Sequence, residues 1–210
     1  MDTLRKLVID GKEKEAASRV LLMIEEGGDP EVIMQEALIP AMDEVGMRFQ
    51  EGEFFLPEML IAARAMQRSL DVLKPGLTEC RVEPLGKVII GTVKGDLHDI
   101  GKNLVGIALQ GSGFEVIDLG YDVSPEKFVD AIIKHKPMII GMSAMITTTM
   151  LGMRETIEEM RKRGMVGEVK VMIGGAPVTQ EYANQIGADF YGRDSISAKD
   201  FARSLVIPKK

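Results

Sequence analysis

Residues 95–106 read GDLHDIGKNLVG and directly follow the apolar run KVIIGTV at residues 87–93. The apolar run predicts a buried β-strand, and the apolar spacing that resumes at the end of the stretch predicts an α-helix. The loop between them carries Asp96, His98 and Asp99, and His98 is one of only two histidines in the chain. A strand, a polar loop and a helix in this order predict a ligand site at the carboxyl end of a parallel sheet.

The second half of the chain repeats this alternation of strand and helix. Its predicted strands are almost continuously apolar, as expected when both faces of a sheet are covered. They span residues 87–93, 114–120, 137–144, 169–176 and 188–192. Helices are expected near residues 101–111, 125–135, 149–163, 178–186 and 195–205. The alternation predicts an α/β domain with a doubly wound, flavodoxin- or Rossmann-like, five-stranded parallel sheet.

The first half has a helical rhythm instead. Over residues 1–76 apolar side chains recur at three- and four-residue spacing, which predicts four helices joined by short turns in an N-terminal four-helix bundle. Pro40 predicts a kink or break in the third helix, and Pro75 predicts the end of the fourth. Residues 77–86 are polar and broken by proline and glycine, which is typical of a linker to a second domain at 87–210.

Composition limits the function classes. The chain has 210 residues, 45% of them hydrophobic and 28% charged, which fits a folded protein of one large or two modest domains. The net charge of −6 argues against a nucleic-acid partner. No apolar run approaches the roughly 20 residues that span a bilayer, and the N-terminus is unlike a signal peptide, so we expect a cytoplasmic protein without a membrane partner. The single Cys80 excludes an internal disulfide and a multi-cysteine metal site.

The loop around His98 admits several interpretations. A helix cap needs one aspartate and leaves the histidine merely exposed. A phosphate-binding P-loop requires four residues between its glycines, whereas this loop has five, and Asn103 replaces the Ser or Thr that would hold magnesium; the dinucleotide fingerprint GxGxxG is absent as well. A metal on His98, with Asp96 accepting from the other ring nitrogen, is the remaining interpretation. Since His135 lies in the lysine-flanked KHKP segment, a metal held by its own macrocycle fits better than free zinc.

Four segments resemble cobalamin-binding proteins. GTVKGDLHDIGKNLVG (residues 91–106) carries the D-x-H-x-x-G motif of proteins that hold the cofactor base-off and His-on. GMSAMIT is similar to the S-x-L segment of that family, with Met145 in place of leucine, and GGAP supplies a matching glycine pair. MRFQEGEFFLPEM (residues 47–59) resembles the helical cap of methionine synthase and of stand-alone corrinoid proteins that carry a methyl group. The similarity covers roughly residues 10–207.

The resemblance assigns roles around the cofactor in the second domain. His98 would be the metal ligand, coordinating cobalt from below in place of the cofactor's own benzimidazole. Asp96 would hydrogen-bond His98, and Ser143 would extend this relay. Three glycines would allow the backbone to approach the displaced nucleotide tail; they are Gly101, Gly174 and Gly175. A simple strand-to-helix turn is the alternative explanation for the last two.

In the cap, the resemblance places Phe49 and Leu56 over the corrin, where they would shield the methyl–cobalt bond. Taken alone, both residues fit a bundle core equally well. Phe54 and Phe55 are expected to be core. No residue of the chain receives a catalytic role of its own, because the cofactor carries the reactive group.

The function implied by the resemblance is methyl transfer in one-carbon metabolism. The cofactor would be cobalamin, passing through methylcobalamin, cob(I)alamin and cob(II)alamin. The chain would be a methyl-carrier subunit rather than a complete enzyme. Its partners would be a substrate-specific corrinoid methyltransferase, a methylcorrinoid methyltransferase acting on tetrahydrofolate or coenzyme M, and a reductive activase. The cap would swing away on the linker for each transfer.

Two other classes share parts of this pattern. A cobalamin-dependent sensor without its own catalysis is the main alternative, but light-sensing repressors of that kind add a helix-turn-helix segment, for which the short N-terminus leaves no room. Small subunits of adenosylcobalamin mutases generally lack the cap. The sequence does not distinguish methylamines, methanol, aryl methyl ethers and betaines as methyl donors, and it does not determine the oligomeric state.

Overall fold

The computed structural model describes residues 1–79, 84–165 and 167–206, with residues 74 and 76–79 described by their backbone alone. The chain divides into two compact units, Met1–Pro84 with Gly111–Gly113, and Leu85–Gln110 with Phe114–Lys210. The predicted linker at 77–86 falls partly on residues 80–83, which lie outside the described residues. None of the described helices is both long enough and apolar enough to cross a membrane.

The first unit is helical. Asp29 begins its third helix as an N-cap, because the Asp29 side chain accepts a hydrogen bond from the Glu31 amide at 2.8 Å and Pro30 fills the first helical position. The unit's core is formed by apolar side chains from every helix, among them Leu4, Val20, Leu38 and Met59. The elements are α1 (Asp2–Ile9), α2 (Glu13–Glu25), α3 (Pro30–Ile33), a π-helical turn (Met34–Leu38), α4 (Ile39–Gln50) and α5 (Leu56–Glu79).

Pro40 changes the winding of its helix without ending it. Proline has no N–H to donate to the carbonyl of Glu36, and its ring crowds that carbonyl. The helix widens into the π turn just before Pro40 and continues as α4. Arg5 of α1 replaces the missing donor, with its Nε 2.8 Å and its Nη2 2.5 Å from the Glu36 carbonyl oxygen. The expected disturbance is therefore a change of helix type, compensated by an arginine.

The expected end of the last helix before Pro75 is wrong. Helix α5 passes through Pro75 and ends at Glu79. Pro75 is exposed, so water can satisfy the main-chain carbonyl that loses its helical donor.

The second unit is the predicted doubly wound sheet. Within the described residues its five strands are all parallel, in the order β2-β1-β3-β4-β5, and each lies within its predicted range. The strands are β1 (Lys87–Thr92), β2 (Glu115–Asp118), β3 (Ile139–Ser143), β4 (Lys170–Gly174) and β5 (Phe190–Gly192). The helices are α6 (Ile100–Gln110), α7 (Pro125–His135), α8 (Leu151–Lys162), α9 (Gln180–Ile186) and α10 (Ser195–Val206).

Alternate strand residues enter two separate cores, one on each face of the sheet. Ile89 of β1 packs in the core that contains Phe128 of α7 and Ile157 of α8. Its neighbour Ile90 packs in the core that contains Leu109 of α6. Helix α6 follows β1 onto one face and α8 follows β3 onto the other, although β1 and β3 are adjacent. The loops that leave these two strands therefore diverge at a topological switch point, which is the usual ligand site of such a sheet.

Candidate functional site

A buried carboxylate joins the loops after β1 and β3 at this switch point. Asp96 is 1% exposed. Its Oδ2 accepts hydrogen bonds from the Met145 amide and the Thr149 hydroxyl, both at 2.7 Å. Its Oδ1 accepts from the His98 amide at 3.1 Å and lies 2.7 Å from the Nδ1 atom of His98. Asp96 therefore fixes the main chain and the imidazole ring of His98 to the neighbouring loop.

These contacts keep Asp96 ionised. Burial alone would raise the pKa of its carboxyl group, but the hydrogen bonds from Met145, Thr149 and His98 stabilise the anion and hold that pKa well below its usual range. An ionised carboxylate only accepts hydrogen bonds, so the His98 proton is assigned to Nδ1.

This assignment leaves Nε2 of His98 with a lone pair. The imidazole is 60% exposed, and Nε2 has no hydrogen-bond partner among the described residues. The loop is also held at its far side, because the Thr92 hydroxyl donates to the His98 carbonyl at 3.0 Å. The site therefore presents one oriented nitrogen ligand toward solvent.

Exposed apolar side chains lie on several loops at the end of the sheet that carries His98. Six large hydrophobic residues are exposed on the loops after β1, β2 and β3 and at the first turns of α6 and α8. They are Leu97, Ile100, Tyr121, Met145, Ile146 and Leu151. Exposed apolar side chains at the carboxyl ends of parallel strands are typical of a binding surface.

The donor set fits a metal that brings its own macrocycle. Across the described residues no group of three or more His, Cys, Asp or Glu side chains could hold a bare metal ion. A single histidine with a carboxylate behind it, bordered by apolar residues, matches a metal whose remaining ligands belong to a flat, largely apolar ring. The residues present therefore fit a corrin.

The lysine of the GKN segment has a structural partner. Lys102 is buried at the start of α6, where its ammonium pairs with Asp118 at the end of β2 and donates to the Asn103 side chain at 2.7 Å. The Asn103 amide in turn donates to the Asp99 carboxylate at 3.1 Å. This lysine is not free to bind a phosphate, which agrees with the rejection of a P-loop.

Ser143 does not extend the His98–Asp96 pair. Ser143 ends β3, and its carbonyl accepts from the Val93 amide at 3.0 Å. Among the described residues, the hydroxyl bound to Asp96 is that of Thr149, which lies 53 positions away in the chain. Sequence reasoning missed Thr149, and the run of three threonines at 147–149 after β3 was the available signal. A contact between Ser143 and the cofactor stays a prediction.

The three predicted glycines differ in what surrounds them. A Cβ on Gly175, where φ is +128°, would lie 1.9 Å from the Ala144 carbonyl oxygen, and one on Gly174 would lie 2.8 Å from the Gly192 carbonyl oxygen. The protein's own backbone thus requires both glycines. A Cβ on Gly101 would meet nothing within 4 Å. Of the three, only Gly101 has open space beside it that a ligand could occupy.

In the helical unit, Phe49 and Leu56 are half-buried near the turn between α4 and α5. The expectation for Phe55 is wrong, since it is 65% exposed while its amide donates to Glu58 at 2.9 Å and so begins α5. Phe54 is half-buried, with the Arg48 guanidinium 5.3 Å from its ring centroid. The turn therefore exposes an aromatic side chain where sequence reasoning expected core.

Both units match family models described as B12 binding domains, one over residues 1–74 and the other over residues 86–198. Among curated relatives, trimethylamine corrinoid protein 1 of Methanosarcina acetivorans is 39% identical over 202 residues, covering 95% of this chain and 94% of the relative. Dimethylamine corrinoid protein 1 of Methanosarcina mazei is 43% identical over 184 residues, covering 86% of this chain and 84% of the relative.

Two solved structures of cobalamin-binding proteins also match this chain. The methanol:cobalamin methyltransferase complex MtaBC from Methanosarcina barkeri matches with a TM-score of 0.89 and 29% identity, over 99% of this chain and 79% of the matched chain. A cobalamin-binding protein from Desulfitobacterium hafniense matches with a TM-score of 0.79 and 31% identity, over 98% of both chains.

A doubly wound domain with an oriented histidine at its switch point, following a helical unit that also matches a B12-binding model, defines a corrinoid protein. The chain belongs to the B12-binding domain family, and its cofactor is cobalamin. Its relatives are corrinoid proteins of the kind found in methyltransferase systems.

Proposed function

We propose that this chain is a methyl carrier that binds cobalamin base-off and His-on. It shuttles a methyl group between a substrate-specific methyltransferase and a second methyltransferase that acts on tetrahydrofolate or coenzyme M. The observation that carries the proposal is the His98–Asp96 pair, with Nδ1 held at 2.7 Å from a buried carboxylate and Nε2 left available. Bound cobalamin supplies a cobalt atom that accepts and donates the methyl group.

Within this proposal the chain's own residues hold and tune that atom. Nε2 of His98 would bind the cobalt atom, and Asp96 would keep the proton on Nδ1 and increase the basicity of the ring. Because the Met145 amide and the Thr149 hydroxyl keep Asp96 ionised, the carboxylate would also stabilise the imidazole in its protonated form. The exposed apolar side chains on the loops at this end of the sheet would pack against the corrin on the side of His98 and exclude water there.

Further contacts belong to the same proposal. Gly101, Ser143 and the Gly174-Gly175 pair would line the nucleotide tail. In the cap, Phe49 and Leu56 would shield the upper face of the corrin. The open space beside Gly101 supports its role, whereas the glycine pair has a sufficient reason in the protein's own backbone.

For the methyl donor we propose a methylated amine. Relatives that are 39–43% identical over most of the chain are named trimethylamine or dimethylamine corrinoid proteins, whereas the methanol complex matches at 29%. A reductive activase would restore oxidised cobalt, and a cytoplasmic location would suit these partners. The methyl acceptor stays open between tetrahydrofolate and coenzyme M.

The test is a two-step transfer. Cobalamin-loaded protein, reduced with titanium(III) citrate, is mixed with trimethylamine and a trimethylamine methyltransferase from a Methanosarcina relative, and methylation is followed by absorbance. The methylated protein is then offered to a coenzyme M or tetrahydrofolate methyltransferase. A methyl carrier is methylated and demethylated stoichiometrically. A protein that binds cobalamin but exchanges no methyl group with either enzyme, or with chemically added methyl iodide, fits the sensor alternative and contradicts the proposal.

A further inference from the structure

The loop that carries His98 is fastened to the segment after β2 by two reciprocal hydrogen bonds. The Gly95 amide donates to Oδ1 of Asp122 at 2.8 Å. The Asp122 amide donates to the Asp96 carbonyl at 3.1 Å. A single residue therefore holds the two consecutive residues that lead into His98.

The backbone of Asp122 is unusual. Its φ of +53° lies in the left-handed region, which few residues other than glycine adopt and which aspartate and asparagine tolerate best. The next residue, Val123, donates its amide to the Thr92 carbonyl at 3.0 Å, which continues the pairing with β1. The left-handed residue therefore lies just before Val123, near the end of β1. Its exposed carboxylate accepts the hydrogen bond from the Gly95 amide.

The Asp96 side chain links these two hydrogen bonds to the imidazole of His98. Oδ2 of Asp96 is already fixed by Met145 and Thr149 on the loop after β3. A shift of the Asp96 main chain would therefore rotate the carboxylate about that fixed oxygen. The oxygen that faces His98 Nδ1 at 2.7 Å would move with the rotation.

We infer that Asp122 is a positioning residue for the lower ligand. By holding the backbone of Gly95 and Asp96, it keeps the carboxylate aligned with His98 and thereby strengthens the bond from the imidazole to cobalt. This inference rests on the proposed role of His98 as the lower ligand. Asp122 itself touches neither the ring of His98 nor any group that the proposal places on the metal.

Two substitutions separate its contributions. Asp122→Gly keeps the positive φ without strain and removes the acceptor for the Gly95 amide. Asp122→Asn keeps a side-chain oxygen in the same place and tolerates the same backbone conformation, but it carries no charge. Comparing the two variants separates the effect of the hydrogen bond from that of the backbone conformation. Asp122→Asn is the conservative variant that should keep the hydrogen bond.

The readouts are the cobalt(II)/cobalt(I) midpoint potential of the cobalamin-loaded protein and amide hydrogen exchange at Gly95 in the cofactor-free protein. Cobalt(I) prefers four ligands and releases the histidine, so weaker binding of His98 to cobalt(II) raises the potential. For Asp122→Gly we expect about fivefold weaker binding, the size of one ordinary hydrogen bond. That factor corresponds to about 40 mV at about 59 mV per tenfold for one electron. Exchange at Gly95 should accelerate, and Asp122→Asn should stay close to wild type in both measurements.

The outcomes are distinguishable. A potential in Asp122→Gly equal to that of wild type overturns the inference, whether or not exchange at Gly95 changes. Equal shifts in the two variants overturn it as well, because the charge rather than the hydrogen bond would then be responsible. Wild-type protein whose cobalt(II) spectrum shows no protein nitrogen contradicts the role of His98 itself. That result would remove the proposed function's central contact before Asp122 is considered.

Discussion

Replacing Asp96 by asparagine changes one side-chain atom and removes a buried negative charge. In the wild type, Oδ2 accepts from the Met145 amide and the Thr149 hydroxyl, both at 2.7 Å. The amide oxygen of the Asp96→Asn variant can take this position and keep both donors. The amide nitrogen then takes the Oδ1 position, where it faces two more donors, the amide and the Nδ1–H of His98. In the variant, the amide N–H groups of the new asparagine therefore face the Nδ1–H of His98, and no hydrogen bond can form between them.

His98 can relieve this conflict by moving its proton from Nδ1 to Nε2 or by turning its ring away. Either change removes the Nε2 lone pair from the position that the carboxylate defines. A hydrogen bond to a charged group contributes about 1.5–3 kcal/mol, and loss of the group that orients a metal-bound histidine typically lowers metal affinity about 10- to 100-fold. We expect the bond from His98 to cobalt to weaken within that range.

The assay is paramagnetic resonance of the cobalt(II) form, which reports nitrogen coordination directly, together with titration of hydroxocobalamin. Asp99→Asn is the matched control, because Asp99 is the neighbouring carboxylate but contacts the Asn103 side chain rather than the imidazole. Thermal unfolding of both variants checks that the fold persists. An Asp96→Asn protein with the wild-type nitrogen splitting and unchanged cobalamin affinity would refute the reasoning.

Five further predictions concern the site and the stability of the fold. Thr149→Val should raise the pKa of Asp96 and weaken the bond from histidine to cobalt about fivefold, with recovery in Thr149→Ser; the resonance spectrum checks this, and equal spectra for the two variants would contradict it. Gly175→Ala should destabilise the fold by at least about 2 kcal/mol in urea unfolding, because its Cβ would lie 1.9 Å from a main-chain oxygen; Gly101→Ala should leave stability unchanged or slightly higher and lower cobalamin affinity instead. Arg5→Met should destabilise the protein by about 0.5–1 kcal/mol in the same assay, since water only partly replaces the two hydrogen bonds from the guanidinium to the exposed Glu36 carbonyl. Because the folded-state pKa of Asp96 lies below its unfolded value, its stabilising contribution is fully present above about pH 5 and is lost as the pH falls further; unfolding free energies at pH 6 and pH 3 should therefore differ more in wild type than in Asp96→Asn, and equal differences would refute this assignment.

The sheet could be predicted from sequence because its signals are local. Each strand is a short apolar run between turn residues, and helices α7 and α9 begin at the capping residues Ser124 and Thr179. Parallel pairing and the position of the ligand loop then follow from the alternation. The contact between His98 and Asp96 could be predicted for the same reason, since the two residues are two positions apart in the loop after one strand.

What sequence reasoning missed depends on contacts between distant residues. Thr149 reaches Asp96 across 53 positions, so the sequence offered Ser143 as an equally reasonable hydroxyl. The continuation of the third helix past Pro40 depends on Arg5, which is 31 positions from Glu36. Phe55 is exposed because the turn before α5 places it outward, which a count of apolar residues does not reveal. Local pattern cannot supply such pairings.

The central claim is that His98 binds cobalt from below, and isotope labelling tests it most directly. Protein labelled with nitrogen-15 only in histidine is loaded with cobalamin, reduced to the cobalt(II) form and studied by paramagnetic resonance beside unlabelled protein and His98→Ala. We predict that the threefold splitting from one axial nitrogen becomes twofold on labelling and disappears in His98→Ala. Splitting that stays threefold in labelled protein would show that the nitrogen belongs to the cofactor and would contradict the His-on arrangement.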